Sequence, residues 1–297
     1  MRNKTLSFAL FGGLLVGLAC GAPLEMDAPG PVASQGIAVE PVEPVQPVGG
    51  PERLSLMSWN VEWLDAAGQG MVPRTQSELD EMAQVIAKSS PDVVVLQEVA
   101  SEKAARQLLP KGAWTLYLEN RKDDQLVAIG VREGLASTGH ADVRSVAVGN
   151  SGLRAGVDVE VETASGPLRL LGVHLKAGCQ WDPLRGKDEC EVLGQQAAAI
   201  EAWVDDRTRE NVHVVVMGDF NRQMHRGDAF FVELNDGDPA GLDLSLGPEK
   251  LPACEPKRRQ SIDHIISDAG RLSGSRQIPL AQPPLSDHCP ILAELEL

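Results

Sequence analysis

Eight side chains capable of acid–base or metal-ligand chemistry stand where apolar runs begin or end. Asn60 closes LSLMSWN, Glu98 closes VVVLQE, His174 closes LRLLGVH, and Asp219 with Asn221 closes VHVVVMGDFN. Asp263 opens an apolar run in SIDHIIS, and Asp287 and His288 stand side by side ahead of CPILAELEL. Taken singly, each reads as ordinary turn chemistry or as a structural histidine. Taken together they read as a site. If strands run in both directions, all of these groups fall on one edge, where carboxylates, amides and imidazoles gather.

The elements that must position them follow from hydrophobic periodicity. RLSLMSWNV, PDVVVLQEV, QLVAIGV, AGVDVEVE, LRLLGVHL, NVHVVVMGDF, SIDHIIS and CPILAELEL are short apolar or alternating runs and predict strands. RTQSELDEMAQVIAKSS predicts a helix with Leu79, Met82, Val85 and Ile86 on one face, ending before Pro91. EVLGQQAAAIEAWVDDRTRE predicts a second, with Val192, Ala199 and Trp203 at similar spacing. Long helical crossovers beside short hairpin connections imply mixed sheets covered by helices. The other histidines read as structural. His213 shares parity with Asp219 but lies about 20 Å along the strand from it; His264 alternates to the face opposite Asp263, His140 lies in a turn, and His225, in a polar loop, has substrate contact as its alternative. EPKRRQ reads as a solvated charge run, with a substrate-backbone contact from Arg258 or Arg259 as the alternative.

In order and separation, SWNVEWL, DVVVLQEV, GVHLKAG, GDFNR, SIDHI and SDHCP resemble the endonuclease/exonuclease/phosphatase family, from about Arg53 to Leu297. The resemblance implies an α/β fold: a four-layered α/β sandwich of two packed mixed β-sheets flanked by helices, with the site at one end. It implies a divalent metal, usually magnesium, with manganese or calcium as alternatives. Glu98 looks like the principal ligand, assisted by Asn60 and Asp287, oxygen donors that suit a hard ion. His288 looks like the imidazole that contacts the scissile phosphate, held in its tautomer by Asp263. Asp219 with Asn221 looks like the pair that orients or deprotonates the attacking water. His174 is similar to a phosphate-binding or proton-donating histidine, and Arg154 of GLRAGV stands where members often carry a phosphate-contacting arginine. Glu98 is expected to have little other charge near it.

The expected activity is metal-dependent phosphodiester hydrolysis by an exported nuclease acting on DNA or RNA. The alternatives are a phospholipid or sphingomyelin phosphodiesterase, or an inositol-phosphate phosphatase. The apparent loop from Arg222 to Gln260 pairs only Phe230 and Phe231, a weak basis for lipid insertion. A monomer is expected, with nucleic acid as substrate and no protein partner.

The first 20 residues predict export: Arg2 and Lys4, then about 14 uncharged apolar residues, then small ones. Cys20 after Leu18 and Ala19 resembles a lipoprotein lipobox, which would tether the chain to a membrane through lipidated Cys20; plain secretion is the alternative. Residues 21–52, rich in Pro and Gly, read as an extended tether, and 53–297 as the catalytic domain. Net charge is −15, and −17 without the leader's two cations. That balance argues against bulk attraction to nucleic acid or anionic lipid, but a metal and local Arg or Lys can reverse the potential inside a cleft. In an exported chain the cysteines after Cys20 are expected to pair. Cys179 and Cys190 bracket a short polar loop and pair first, which leaves Cys254 with Cys289.

Overall fold

Apolar alternation resolves into two six-stranded sheets in the computed structural model, which describes residues 50–149, 152–247, 249, 251 and 261–297. The expected leader, Cys20, nearly all of the tether, Cys254, Arg258 and Arg259 lie outside the described residues. In chain order the elements are β1 (Arg53–Leu64), α1 (Gln76–Ser89), β2 (Val93–Val99), α2 (Glu102–Leu108), β3 (Trp114–Leu118), β4 (Leu126–Arg132), β5 (Ser137–Gly139), β6 (Val157–Thr163), β7 (Gly166–His174), α3 (Asp188–Arg209), β8 (His213–Asp219), α4 (Ala229–Leu234), β9 (Ser245–Gly247), β10 (Asp263–Ser267), β11 (Arg271–Gln277) and β12 (Ile291–Glu296). One sheet runs β11-β12-β1-β2-β4-β3 and the other β5-β6-β7-β8-β10-β9.

Side-chain alternation divides each sheet between two cores. Leu56, Val95 and Ile129 face Val159, Leu170, Val215 and Ile265 across the space between the sheets. Met57, Trp59, Val94 and Leu96 point outward beneath α1 and α2. Leu171, Val173, Val214 and Val216 point outward beneath α3 and α4. Helix, sheet, sheet and helix make the four layers expected.

Each sheet has one parallel pair at its centre, β1 with β2 and β7 with β8, and each pair is bridged by a long helix. That arrangement brings the chemistry to one edge. The carboxyl ends of β1 and β2 deliver Asn60 and Glu98; those of β7 and β8 deliver His174 opposite Asp219. β10 runs antiparallel to β8 and sets its first residue, Asp263, against Asp219. β12 runs antiparallel to β1, so the chain entering it passes the same edge. Asp287 and His288 lie in the loop ahead of β12, which begins at Ile291, and not on the strand itself.

All eight predicted strands are interior ones. The four unpredicted strands, β3, β5, β9 and β11, are the four edges of the two sheets. An edge strand needs no continuous apolar run, so periodicity does not reveal it. α1 forms as predicted, with a capping box between Thr75 and Glu78 and a left-handed Ser90 ahead of Pro91. α3 buries Leu193, Ala197, Ile200, Trp203 and Val204, whereas Val192 and Ala199 are only half-buried. Its apolar residues are dense enough to admit two adjacent stripes, and packing on β8 selects one. The stretch from Arg222 is no long loop: it contains α4 and β9, and Phe230 and Phe231 are buried in α4.

Candidate active site

The edge of the sandwich departs from regular strand geometry where its polar groups lie. β1 shifts register between Asn60 and Leu64, with Glu62 and Trp63 at φ 48° and 53°. β2 shifts between Leu96 and Val99, with Glu98 at φ 63°. Left-handed backbone at such residues costs on the order of 1 kcal/mol each and persists where surrounding contacts hold it. Bulges of this kind re-aim side chains. Here they turn Glu98 to receive Asn60 Nδ2 at 3.0 Å and the Trp63 amide at 3.2 Å. Asn60 Nδ2 also donates to Asp219 Oδ2 at 3.0 Å, tying one sheet to the other, while its Oδ1 accepts from the Glu62 amide.

Gly218 has a physical reason to precede Asp219. Its φ is +153°, and a Cβ there would lie 1.9 Å from the Val173 carbonyl oxygen. Only glycine lets β7 and β8 pair closely enough to set His174 beside Asp219. Asp219 Oδ1 accepts the Asn221 amide at 2.8 Å, and Asn221 Nδ2 donates to the Leu175 carbonyl at 3.1 Å. Asp219 is 1% exposed. Burial and then the neighbouring Asp263 push its carboxyl up to about 6, against the opposing pull of His288 and the Asn60 and Asn221 hydrogen bonds.

His288 is held on three sides. Its Nδ1 lies 3.0 and 3.1 Å from the two Asp263 oxygens, its carbonyl accepts Trp59 Nε1 at 3.0 Å, and its amide donates to Ser286 Oγ at 3.1 Å. Its Nε2 points inward, 3.8 Å from Asp219 and 3.9 Å from Asp287. Burial disfavours the charge, but Asp263 and Asp219 more than offset it and raise the imidazole to about 10. It is a cation at neutral pH. His174 is the opposite case: burial first, then Arg154 and His288, hold it well below the ordinary range, so it is neutral. Its Nε2 lies 3.7 Å from Asp219 and 3.8 Å from Glu98, and its buried Nδ1 has no hydrogen-bond partner among the described residues.

Asn60, Glu98, His174, Asp219, Asn221, Asp287 and His288 line one cavity of about 380 Å3, with Asp263 behind His288. Arg154 lines it too, aimed by bonds from Nε to the His174 carbonyl and from Nη2 to the Leu175 carbonyl. Every residue expected at the site is therefore brought there. Gln125 and Lys176 join the lining without having been expected.

One carboxylate was also missed. Glu62 accepts the Asp287 amide at 3.1 Å and lies 3.8 Å from Arg74. Burial, Asp287 and Glu98 raise its carboxyl, partly offset by the Asp287 amide and Arg74. Glu98 is thus not alone, contrary to expectation: Glu62, Asp287 and Asp219 are its neighbours. Strand period two would have placed Glu62 on the face of Asn60. Oxygen donors repelling one another at a half-open rim fit a divalent cation. Asp219, Asp263 and His288 also lie within 4.8 Å of one another, but a cationic imidazole already bonded to Asp263 is not a ligand, and this trio reads as acid–base machinery.

The remaining histidines lie elsewhere. His264 Nε2 bonds the Arg222 carbonyl at 2.8 Å, His213 faces Asp268, and His140 faces Glu160. His225 Nδ1 accepts the Gly227 amide, and His225 is not among the cavity's lining residues.

Two packed mixed sheets thus carry an acidic, imidazole-bearing cavity at one edge, with side chains of the kinds that phosphoester hydrolysis uses. Residues 57–288 match the model of the Endonuclease/Exonuclease/phosphatase family, and the chain belongs to that family, whose enzymes use divalent metal ions. Among solved structures it is similar to the endonuclease/exonuclease/phosphatase from Bacteroides vulgatus, at TM-score 0.60 and 16% identity, covering 82% of this chain and 99% of that one. The human Nocturnin catalytic domain with bound sulfate aligns at TM-score 0.56 and 16% identity over 83% and 95% of the two chains. D. rerio TDP2 complexed with single strand DNA product aligns at 0.56 and 18% over 82% and 99%. No curated protein matches the sequence.

Proposed function

We propose that this protein is an exported nuclease that hydrolyses phosphodiesters of DNA or RNA with a divalent cation, magnesium first, held by Glu98 with Asn60, Asp287 and Glu62. The observation that carries the reading is the geometry of one cavity: the buried Asp219 carboxylate stands 3.8 Å from His288 Nε2, and the Nδ1 of that imidazole rests on Asp263 at 3.0 Å. Such a pair can take a proton from water and place a positive charge on a phosphoryl oxygen.

When bound, the cation supplies charge neutralisation on the phosphate. Asp219, fixed by Asn60 and the Asn221 amide, accepts the proton of the attacking water as the phosphorus bond to the leaving oxygen breaks and that oxygen takes a proton from solvent; Asn221 helps orient the turn. His288, kept charged by Asp263, donates a hydrogen bond from Nε2 to the phosphoryl oxygen. His174 is neutral, so it serves as a hydrogen-bond donor to the phosphate and not as a strong acid. Arg154 lies at the wall as a phosphate-facing cation. The single-strand DNA held by D. rerio TDP2 supports a nucleic-acid substrate. The Cys179–Cys190 disulfide supports export, since such bonds persist in oxidising compartments. Attachment through lipidated Cys20 belongs to the same proposal and rests on the leader sequence.

The test is a magnesium-dependent panel of plasmid DNA, RNA, sphingomyelin and a soluble inositol phosphate. Cleavage of a nucleic acid, lost at least about a hundredfold in His288→Ala and Asp219→Asn, is expected, an effect of about 2.7 kcal/mol. If both variants stay folded by circular dichroism and keep most of the activity, the assigned site is wrong.

A further inference from the structure

Trp181 is the exposed tryptophan among the described residues: two-thirds of its surface faces solvent, whereas Trp59, Trp114 and Trp203 are buried. The chain that carries it is nonetheless held tightly. Cys179 is bonded to Cys190 at the start of α3. Arg222, 2% exposed, donates Nη1 to the Cys179 carbonyl at 2.9 Å and to the Asp182 carbonyl at 3.0 Å, one on each side of Trp181. Its Nε and Nη2 are fixed by Asp228 at 2.7 and 2.9 Å. Between those anchors, the Gln223 amide donates to the Gln180 carbonyl at 2.9 Å, and the Asp182 carboxylate pairs with Lys187.

A large aromatic left in water on a backbone that cannot relax is already arranged for a flat partner. A rigid side chain loses little conformational entropy when something stacks on it. Its place in the chain names the partner. Ala177 lines the cavity, and four residues span at most about 14 Å, so Trp181 lies within a few nucleotides' reach of a phosphate bound there. Lys176, at the cavity wall between His174 and this loop, offers a cation to the intervening backbone. Arg222 follows Asn221 directly, so the guanidinium that holds the tryptophan's loop also belongs to the turn that holds Asp219.

We propose that Trp181 is a stacking platform for an unpaired base of the strand whose phosphodiester occupies the cavity, which makes single-stranded nucleic acid the favoured substrate. Every base has a face to stack, so the platform is tolerant of sequence, but in a duplex interior that face is covered. The inference rests on the nuclease reading above.

Two measurements test it. A dodecamer of thymidylate titrated into the metal-free protein quenches tryptophan fluorescence, and the quench is lost in Trp181→Phe; the anisotropy of the same oligonucleotide carrying a fluorescent label shows affinity falling about tenfold or more in Trp181→Ala, the loss expected of one stacked base. With magnesium, the ratio of kcat/KM for the oligonucleotide to that for a small dialkyl phosphate diester, which has no ring to stack, falls by a similar factor in Trp181→Ala and recovers partly in Trp181→Phe. Equal oligonucleotide affinity in wild type and Trp181→Ala overturns the proposal. So does Trp181-dependent binding to phosphatidylcholine vesicles without any to the oligonucleotide, which would make this a lipid contact. If wild type hydrolyses the small diester but shows no Trp181-dependent oligonucleotide binding, the platform is refuted and the phosphodiesterase reading stands. If wild type hydrolyses no diester, that reading fails, and the fluorescence titration still decides the platform.

Discussion

Replacing Asp263 by Asn keeps its shape and removes its charge, which isolates what the carboxylate does for His288. The two oxygens lie 3.0 and 3.1 Å from Nδ1 in a buried setting. At an effective dielectric of about 20, one unit charge at that distance is worth about 5 kcal/mol to the imidazolium. That is enough to bring His288 from about 10 down to the ordinary histidine range near 6.5, where burial and the remaining Asp219 oppose each other. Two pH units above such a value, about 1% of the imidazole carries its proton. The nuclease activity of Asp263→Asn at pH 8.5 should therefore fall about a hundredfold, while at pH 6, where about three-quarters of the imidazole carries its proton, most of the activity should remain. Its alkaline limb should move down from the wild-type position near 10. A pH–kcat/KM profile on an oligonucleotide reads this directly. The same change also carries a sign for stability. His288's folded value lies above its unfolded one near 6.5, so its stabilisation is present below that pH and is lost as pH rises through about 10. In EDTA, Asp263→Asn should accordingly be less stable than wild type at pH 6 and approach it above pH 10. An alkaline limb unchanged in Asp263→Asn, with a third or more of wild-type activity at pH 8.5, would refute the argument that Asp263 keeps His288 charged.

Two further outcomes follow from the geometry. Glu98→Gln should raise the magnesium concentration for half-maximal activity by about tenfold or more, and Glu62→Gln by less; isothermal titration with magnesium checks both, and equal affinities in all three proteins would remove these carboxylates from the metal site. Replacing Cys179 and Cys190 by Ala opens a loop of 11 residues' separation and should cost about 3 kcal/mol, or roughly 6–12 °C in Tm; a calorimetric Tm within about 2 °C of wild type would show that the loop needs no staple.

The local sequence carried the interior of the fold. The eight runs apolar enough to read as strands are the eight strands flanked on both sides, and their ends name Asn60, Glu98, His174, Asp219 and Asp263 because a polar group at the end of a buried strand is conspicuous. Cys179 and Cys190 could be paired by separation alone. The edges could not be read, since β3, β5, β9 and β11 cover one neighbour only and their sequences carry no strong period. The convergence of the site was set by long-range pairing: β1 finds β12 across more than two hundred residues, and that antiparallel match brings His288 to Trp59 and Asp287 to Glu62. Glu62 shares the face of Asn60 by period-two alternation, but its contact with Asp287 depends on a bulge, a left-handed φ and a partner 225 residues away, none of which the local pattern encodes. Protonation states were beyond sequence altogether. The two histidines differ because His174, at the end of β7, is buried beside Arg154 with no Nδ1 partner among the described residues, whereas His288, in the loop ahead of β12, rests on Asp263. That difference arises from desolvation and the distance between charges, and only the tertiary structure sets those.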